Sequence, residues 1–164
     1  MTGEFVFSAD ELRRFTAECF LTLGLPDTDA KLVADGLVAA DLRGLSSHGV
    51  SRIPTYCERL RRGLVNPTPN IVVERVTPVA ASVDGDGGMG FPVAHRAMEE
   101  AIDMARGFGL GLASVKHSTH YGMAALYVLQ AIEADMISLV FTNSSPALPV
   151  WGGMSKFLGA APLA

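Results

Sequence analysis

Leu12, Phe15, Cys19, Phe20 and Leu23 recur at helical spacing between Ser8 and Gly24, and Ser8 with Glu11 forms a capping-box pattern. This predicts a first amphipathic helix. Pro26 and Asp27 open a second, in which Ala30, Val33, Ala34, Leu37, Val38 and Asp41 keep the period until Arg43-Gly44. A third is expected from about Val50 to Arg62, stopping at Gly63 because Asn66-Pro67-Thr68-Pro69 cannot continue it. Beyond the prolines the texture changes. Ile71 to Val76 and Val79 to Val83 are rich in β-branched residues and read as strands. A helix from about Pro92 to Arg106, a strand Leu110 to Val115, a helix from about Gly122 to Ala134 and a strand Ile137 to Phe141 follow. The remainder, Thr142 to Ala164, is rich in Gly, Ser, Pro and Ala. The expected organisation is a helical segment over residues 1–66 and an α/β region over 67–164.

Composition narrows the classes. With 164 residues and 49% apolar content the chain can bury a sizeable core. No apolar run reaches membrane-spanning length and no basic-then-apolar leader opens the chain, so a soluble cytoplasmic protein is expected. A net charge of -4 with mixed signs argues against nucleic acid as a partner. Arg59, Arg61 and Arg62 are too few and too close to Glu58 to change that, and read as a solvated helix end. Cys19 and Cys57 stand in no metal or redox spacing and read as packing residues.

Candidate chemistry concentrates in Asp41-Leu-Arg-Gly-Leu-Ser-Ser-His-Gly-Val-Ser-Arg52. If a helix starts near Gly49, His48 and Arg52 at i, i+4 face one small anion, a proton carrier beside a fixed cation. A solvated helix surface is the competing reading. Gly85-Asp-Gly-Gly-Met-Gly90 matches G-x-G-x-x-G between a strand and a helix. A dinucleotide fingerprint, however, wants an acid at the end of the next strand, where this chain has Val115-Lys116-His117. Lys116 suits a 2′-phosphate, whereas Asp84 and Asp86 would repel a pyrophosphate, so the match competes with a plain glycine-rich turn. In His117-Ser-Thr-His120-Tyr-Gly122, Ser118 or Thr119 can cap the following helix and leave a neutral His120 at its positive end as a proton acceptor, with a capping or hydrogen-bonded loop histidine as the competing reading. Zinc on His48, His117, His120 and Asp41 is a weak alternative, since no thiolate or near carboxylate completes the set; no metal is expected. Ser144-Ser145 lacks the setting of a nucleophilic serine.

Five ordered blocks, Asp41 to Arg52, Lys116 to Gly122, Thr142 to Pro146, Trp151 to Gly153 and Gly159 to Ala164, together resemble the type 2 malate/L-lactate dehydrogenase family, which includes ureidoglycolate, sulfolactate and diketogulonate enzymes. The resemblance implies an α/β protein with N-terminal helices and a mixed-sheet, non-Rossmann cofactor domain. It implies an NAD- or NADP-dependent oxidoreductase interconverting a 2-hydroxy and a 2-oxo acid, a homodimer at full length. By position, His48 and His120 match the catalytic histidines, either of which acts as proton donor or acceptor in different members. Arg52 matches the substrate-carboxylate arginine and Ser47 lines the same pocket. Ser144, Gly159 and Pro162 match positions at the cofactor. Where the family reads Gly-Thr-Asn-Pro this chain has Gly159-Ala160-Ala161-Pro162. Family members are about twice as long as these 164 residues, so the chain is expected to be an N-terminal half. The rival expectation is a non-catalytic remnant that pairs with a full-length homologue.

Overall fold

Ser8 accepts the Glu11 N–H on its hydroxyl at 3.2 Å while the Glu11 carboxylate accepts the Ser8 N–H at 2.9 Å, so the capping box forms as the sequence predicts. In the computed structural model, which describes residues 6–164, helix α1 runs Ala9–Leu21 and α2 Asp27–Asp41. The two pack along each other through Phe20, Val33, Leu37 and Val38, all fully buried. The third helix departs from expectation at its start. Two 3₁₀ turns, Ser46–His48 and Val50–Arg52, precede α3, Ile53–Arg61. Pro54, lacking an N–H and pre-set in φ, suits the first α-helical turn and places the regular helix after Arg52.

Strand β1, Val72–Thr77, pairs antiparallel with β2, Ala80–Gly88. Helix α4, Gly90–Phe108, then crosses over to β3, Leu112–Ser118, which lies parallel to β2, giving the order β1-β2-β3. One face of this mixed sheet is sealed by α4, where Val83, Val93 and Ala97 form a buried core edged by Ile71, Val73 and Ala113. Helix α2 packs on α4, joining helices and sheet. Inside that body Glu100, 6% exposed, is paired by Arg75 and Arg96, which offsets the cost of burying a carboxylate.

The chain divides into two compact units, residues 1–123 and 124–164. The second holds α5, Ala125–Ile132, and a two-stranded antiparallel ribbon of β4, Leu148–Pro149, and β5, Lys156–Leu158. The strand expected at Ile137 to Phe141 is not formed. Within this unit a neighbouring backbone reaches it only at its end, where Phe141 bridges Leu163 and Val140 exchanges hydrogen bonds with Ala164. A strand needs a partner along its length, and Ile137 and Leu139 stand 99% and 72% exposed without one. The fold class is α/β, as expected. Among the described residues no helix is long and apolar enough to cross a membrane.

Candidate functional site

Asp41, the last residue of α2, reaches across to the turn that carries His48. Its Oδ2 accepts the Val50 N–H at 2.8 Å, and a Cβ on the buried Gly49 would lie 1.9 Å from its Oδ1. Glycine at 49 is therefore a packing requirement of the carboxylate. The turn is knitted further by Ser51 Oγ donating to Ser46 O at 2.6 Å and Arg52 Nε donating to Ser47 O at 2.6 Å. Ser47 Oγ meets His48 Nδ1 at 2.9 Å. His48 and Arg52 thus sit on successive 3₁₀ turns, not on one α-helical face. Replacing Gly49 by alanine expels the Asp41 carboxylate and leaves the Val50 N–H unpaired, an expected loss of about 1–3 kcal/mol of stability, read from urea unfolding. An unchanged midpoint would contradict this role of Asp41.

His120 follows β3 and is mounted on the glycine-rich turn. Thr119 Oγ1 donates to Gly88 O at 3.0 Å and accepts the Gly90 N–H at 3.1 Å. A Cβ on Gly90 would fall 2.4 Å from Thr119 O and 2.5 Å from His120 O. Gly85 is crowded by Val93 and Gly88 by Pro69, whereas Gly87, at φ +68°, is glycine for its left-handed backbone and not for want of space; the Asp86 carboxylate accepts from Asn66 Nδ2 and Asn70 N, each at 3.0 Å. The G-x-G-x-x-G match is thus a packing turn whose helix end is occupied by the chain itself, and the Rossmann reading falls. The expected cap by Ser118 or Thr119 falls too, because α5 starts only at Ala125 and has no side-chain cap.

Brought together from 72 positions apart in the chain, the His48 and His120 rings come to 5.6 Å between centroids, tilted by 33°. Tyr56, on α3, completes the group. Its hydroxyl meets His120 Nδ1 at 2.7 Å, and the Gly122 N–H donates to the same nitrogen at 3.2 Å. The tyrosine is 4% exposed and packs on Phe20 and Phe91. No motif in the sequence singles out Tyr56, although it stands at i+4 from Arg52 and i+8 from His48, the spacing of one helical face.

The electrostatics follow from this enclosure. Desolvation of its enclosed edge, with Arg52 and His48 nearby, holds His120 down to about 4. Partial burial, then Arg52, also lowers His48, and burial pushes the Tyr56 phenol up to about 12. A histidine with a depressed folded pKa contributes stability that is present above its unfolded value and lost as pH falls through the folded one. For His120 that window runs from the ordinary 6.5 down to about 4. The urea midpoint should fall across it, and His120→Gln should flatten the slope; an identical slope in the variant would contradict the assignment.

His117 goes elsewhere. Its Nδ1 pairs with Asp84 at 3.0 Å, and Lys116 also faces Asp84, at 3.6 Å. These side chains line a cleft of about 460 Å³ over the sheet with Asn70, Glu74 and Ser82. Among the described residues no three His, Cys, Asp or Glu side chains converge as a metal would require. In the second unit, Ser144 Oγ accepts the Ala160 N–H at 2.8 Å, a Cβ on Gly159 would lie 2.5 Å from Ser144 O, and Thr142 N–H donates to Pro162 O at 3.3 Å. Ser144, Gly159 and Pro162 are therefore gathered on facing segments.

The sequence profile described as malate/L-lactate dehydrogenase matches residues 7–164. The chain belongs to the malate/L-lactate dehydrogenase family. A relative, the malate dehydrogenase of Pyrococcus abyssi, is 44% identical over 155 residues, covering 94% of this chain and 43% of the relative. Among solved structures, sulfolactate dehydrogenase from Methanocaldococcus jannaschii superposes with a TM-score of 0.92 at 36% identity, covering 97% of this chain and 46% of that one. The malate dehydrogenase of Pyrococcus horikoshii OT3 gives 0.90 at 41% identity, over 98% and 48%. The chain thus spans about half the length of the malate/L-lactate dehydrogenases it matches. One family position stands out in the backbone. Ala161 holds φ at +38°, in the left-handed region that Asn, the residue the resemblance leads one to expect there, tolerates better than Ala.

Proposed function

We propose that this chain supplies the substrate-side machinery of a dehydrogenase acting on a small 2-hydroxy acid, with NAD or NADP as cofactor. The observation that carries the reading is the meeting of His48 and His120 beside Arg52, since oxidising a 2-hydroxy acid needs a proton acceptor next to a cation that holds the carboxylate. The names of the related enzymes, malate and sulfolactate dehydrogenase, agree with that substrate class.

In this reading Arg52 pairs with the carboxylate, and its Nε bond to Ser47 O holds the guanidinium on the same turn as His48. One of the two histidines takes the hydroxyl proton. The cofactor positions fit a dinucleotide chemically: Ser144, Gly159, Ala160 and Ala161 put only small side chains on facing, largely exposed segments, which the Ser144 hydroxyl ties together by accepting the Ala160 N–H. Ser144, Gly159 and Pro162 would hold it, with Ala160 and Ala161 contributing methyl groups where the family reads polar side chains. When bound, the nicotinamide supplies a two-electron hydride acceptor.

The test is a chimaera that joins this chain to the remaining half of the Pyrococcus abyssi relative. Malate, lactate and sulfolactate are each offered with NAD and with NADP, and reduced cofactor is followed by absorbance. Turnover of at least one acid is expected. A folded chimaera inactive on all of them would overturn the proposal.

A further inference from the structure

We propose that Tyr56 is a positioning residue that sets the tautomer of His120, keeping its proton on Nε2 so that the ring offers the substrate oxygen a hydrogen-bond donor and leaves proton exchange to His48. The role at the substrate rests on the 2-hydroxy-acid reading; the tautomer itself rests on geometry alone.

A backbone N–H can only donate, so the Gly122 N–H at 3.2 Å requires a lone pair on His120 Nδ1. A nitrogen carrying its lone pair there cannot also donate to Tyr56, so at 2.7 Å the phenol must be the donor. The Nδ1–H tautomer and the imidazolium would each set an N–H against the Gly122 N–H, which cannot turn away, even with the phenol rotated to accept. The proton of the neutral ring is left on Nε2.

Both donors are held where they are needed. The Tyr56 ring is fixed between Phe20 and Phe91, and its burial keeps the phenol protonated. Gly122 adopts φ +75°, and a Cβ there would lie 2.5 Å from the Phe91 ring, so glycine lets the amide approach His120. The groups facing His120 are Arg52 and His48 from the 3₁₀ turns and Tyr56 from α3. The two cations, one permanent and one potential, also oppose an imidazolium.

His48 is built differently. Its Nδ1 partner is the Ser47 hydroxyl, which can donate or accept, so His48 can change protonation state without losing that hydrogen bond. Side by side stand one histidine locked by an amide and a buried phenol and another on a rotatable hydroxyl. That asymmetry divides the labour.

The test reads the rings directly in the ¹⁵N-labelled 164-residue chain, by long-range ¹H–¹⁵N correlation of the imidazole nitrogens at neutral pH. His120 should show a bare Nδ1 and a protonated Nε2, with a coupling across the Gly122 N–H···Nδ1 bond. Tyr56→Phe keeps the packed ring and removes one donor, so the Nε2–H population should fall and His120 should protonate at a higher pH. In the chimaera the same variant should lose roughly tenfold in kcat with KM little changed, the size expected for one hydrogen bond. A protonated Nδ1 in the wild type, or a folded Tyr56→Phe chain with an unaltered His120 signal and titration, would overturn the proposal. Should Tyr56→Phe not fold, the wild-type nitrogen shifts and the Gly122 coupling still decide the tautomer, and Tyr56→Trp, whose indole can donate, tests rescue. These ring signals need neither substrate nor cofactor, so an inactive chimaera and a wrong tautomer are separate results.

Discussion

Replacing His48 by alanine in the chimaera is expected to lower kcat by about 10²–10⁴, the range for removing a general acid–base group, with a smaller change in KM. The fold should survive, because His48 is only half-buried and its turn is held by Asp41, Ser46 and Ser47 through other atoms. The pH profile gives a second reading. A base must be neutral to take the hydroxyl proton, so kcat/KM for oxidation falls as pH drops through the His48 pKa. Partial burial and Arg52 lower that value, which puts the acid limb below the ordinary histidine range. His120, already held at about 4, is neutral throughout. Full activity in His48→Ala, or an acid limb unchanged by it, would remove His48 from the chemistry.

Arg52→Ala is expected to cost about 10²–10³ in kcat/KM, the loss that follows when a charged, hydrogen-bonded partner of a carboxylate is deleted. Arg52→Lys should recover only part, since an ammonium cannot reproduce the two-pronged grip of a guanidinium. Two effects separate here. Loss of the carboxylate grip raises KM, whereas loss of the Nε bond to Ser47 O loosens the turn beneath His48 and lowers kcat. Free guanidinium ion added to the alanine variant should restore the first and not the second. The pKa of His48 should also rise, because one cause of its depression is gone. A substrate KM unaltered in Arg52→Ala would show that the carboxylate is held elsewhere.

Local signals in the chain were read well where local physics decides. The Ser8 to Glu11 capping box gave the start of α1 because both of its hydrogen bonds close within one turn. The β-branched runs after the prolines became β1 and β2, joined by a turn at Pro78 and Val79. Errors came where a distant neighbour decides. Ile137 to Phe141 has strand composition, yet its backbone finds a partner only at one end. The glycine pattern at Gly85 to Gly90 has a dinucleotide spelling that competes with a plain turn on sequence alone, and Val93, Pro69 and Thr119, pressed against Gly85, Gly88 and Gly90, decide for the turn. Tyr56 was missed for the same reason, since its importance lies in a bond to a residue in another element.

By itself the sequence determined the class of the molecule: helices first, then an α/β region, with five spaced blocks that identify the family. It also determined which side chains were available, since His48, Arg52 and Tyr56 share one short stretch whatever the rest of the chain does. Only the tertiary structure decided what they could do together. Laying β3 parallel to β2 through α4 carries His120 to the turn after α2, and packing α2 on α4 brings His48 to meet it. Whether a histidine is a base or a donor is then set by which lone pairs face which N–H groups, and that is a property of contacts between elements. Spacing along a chain does not contain it.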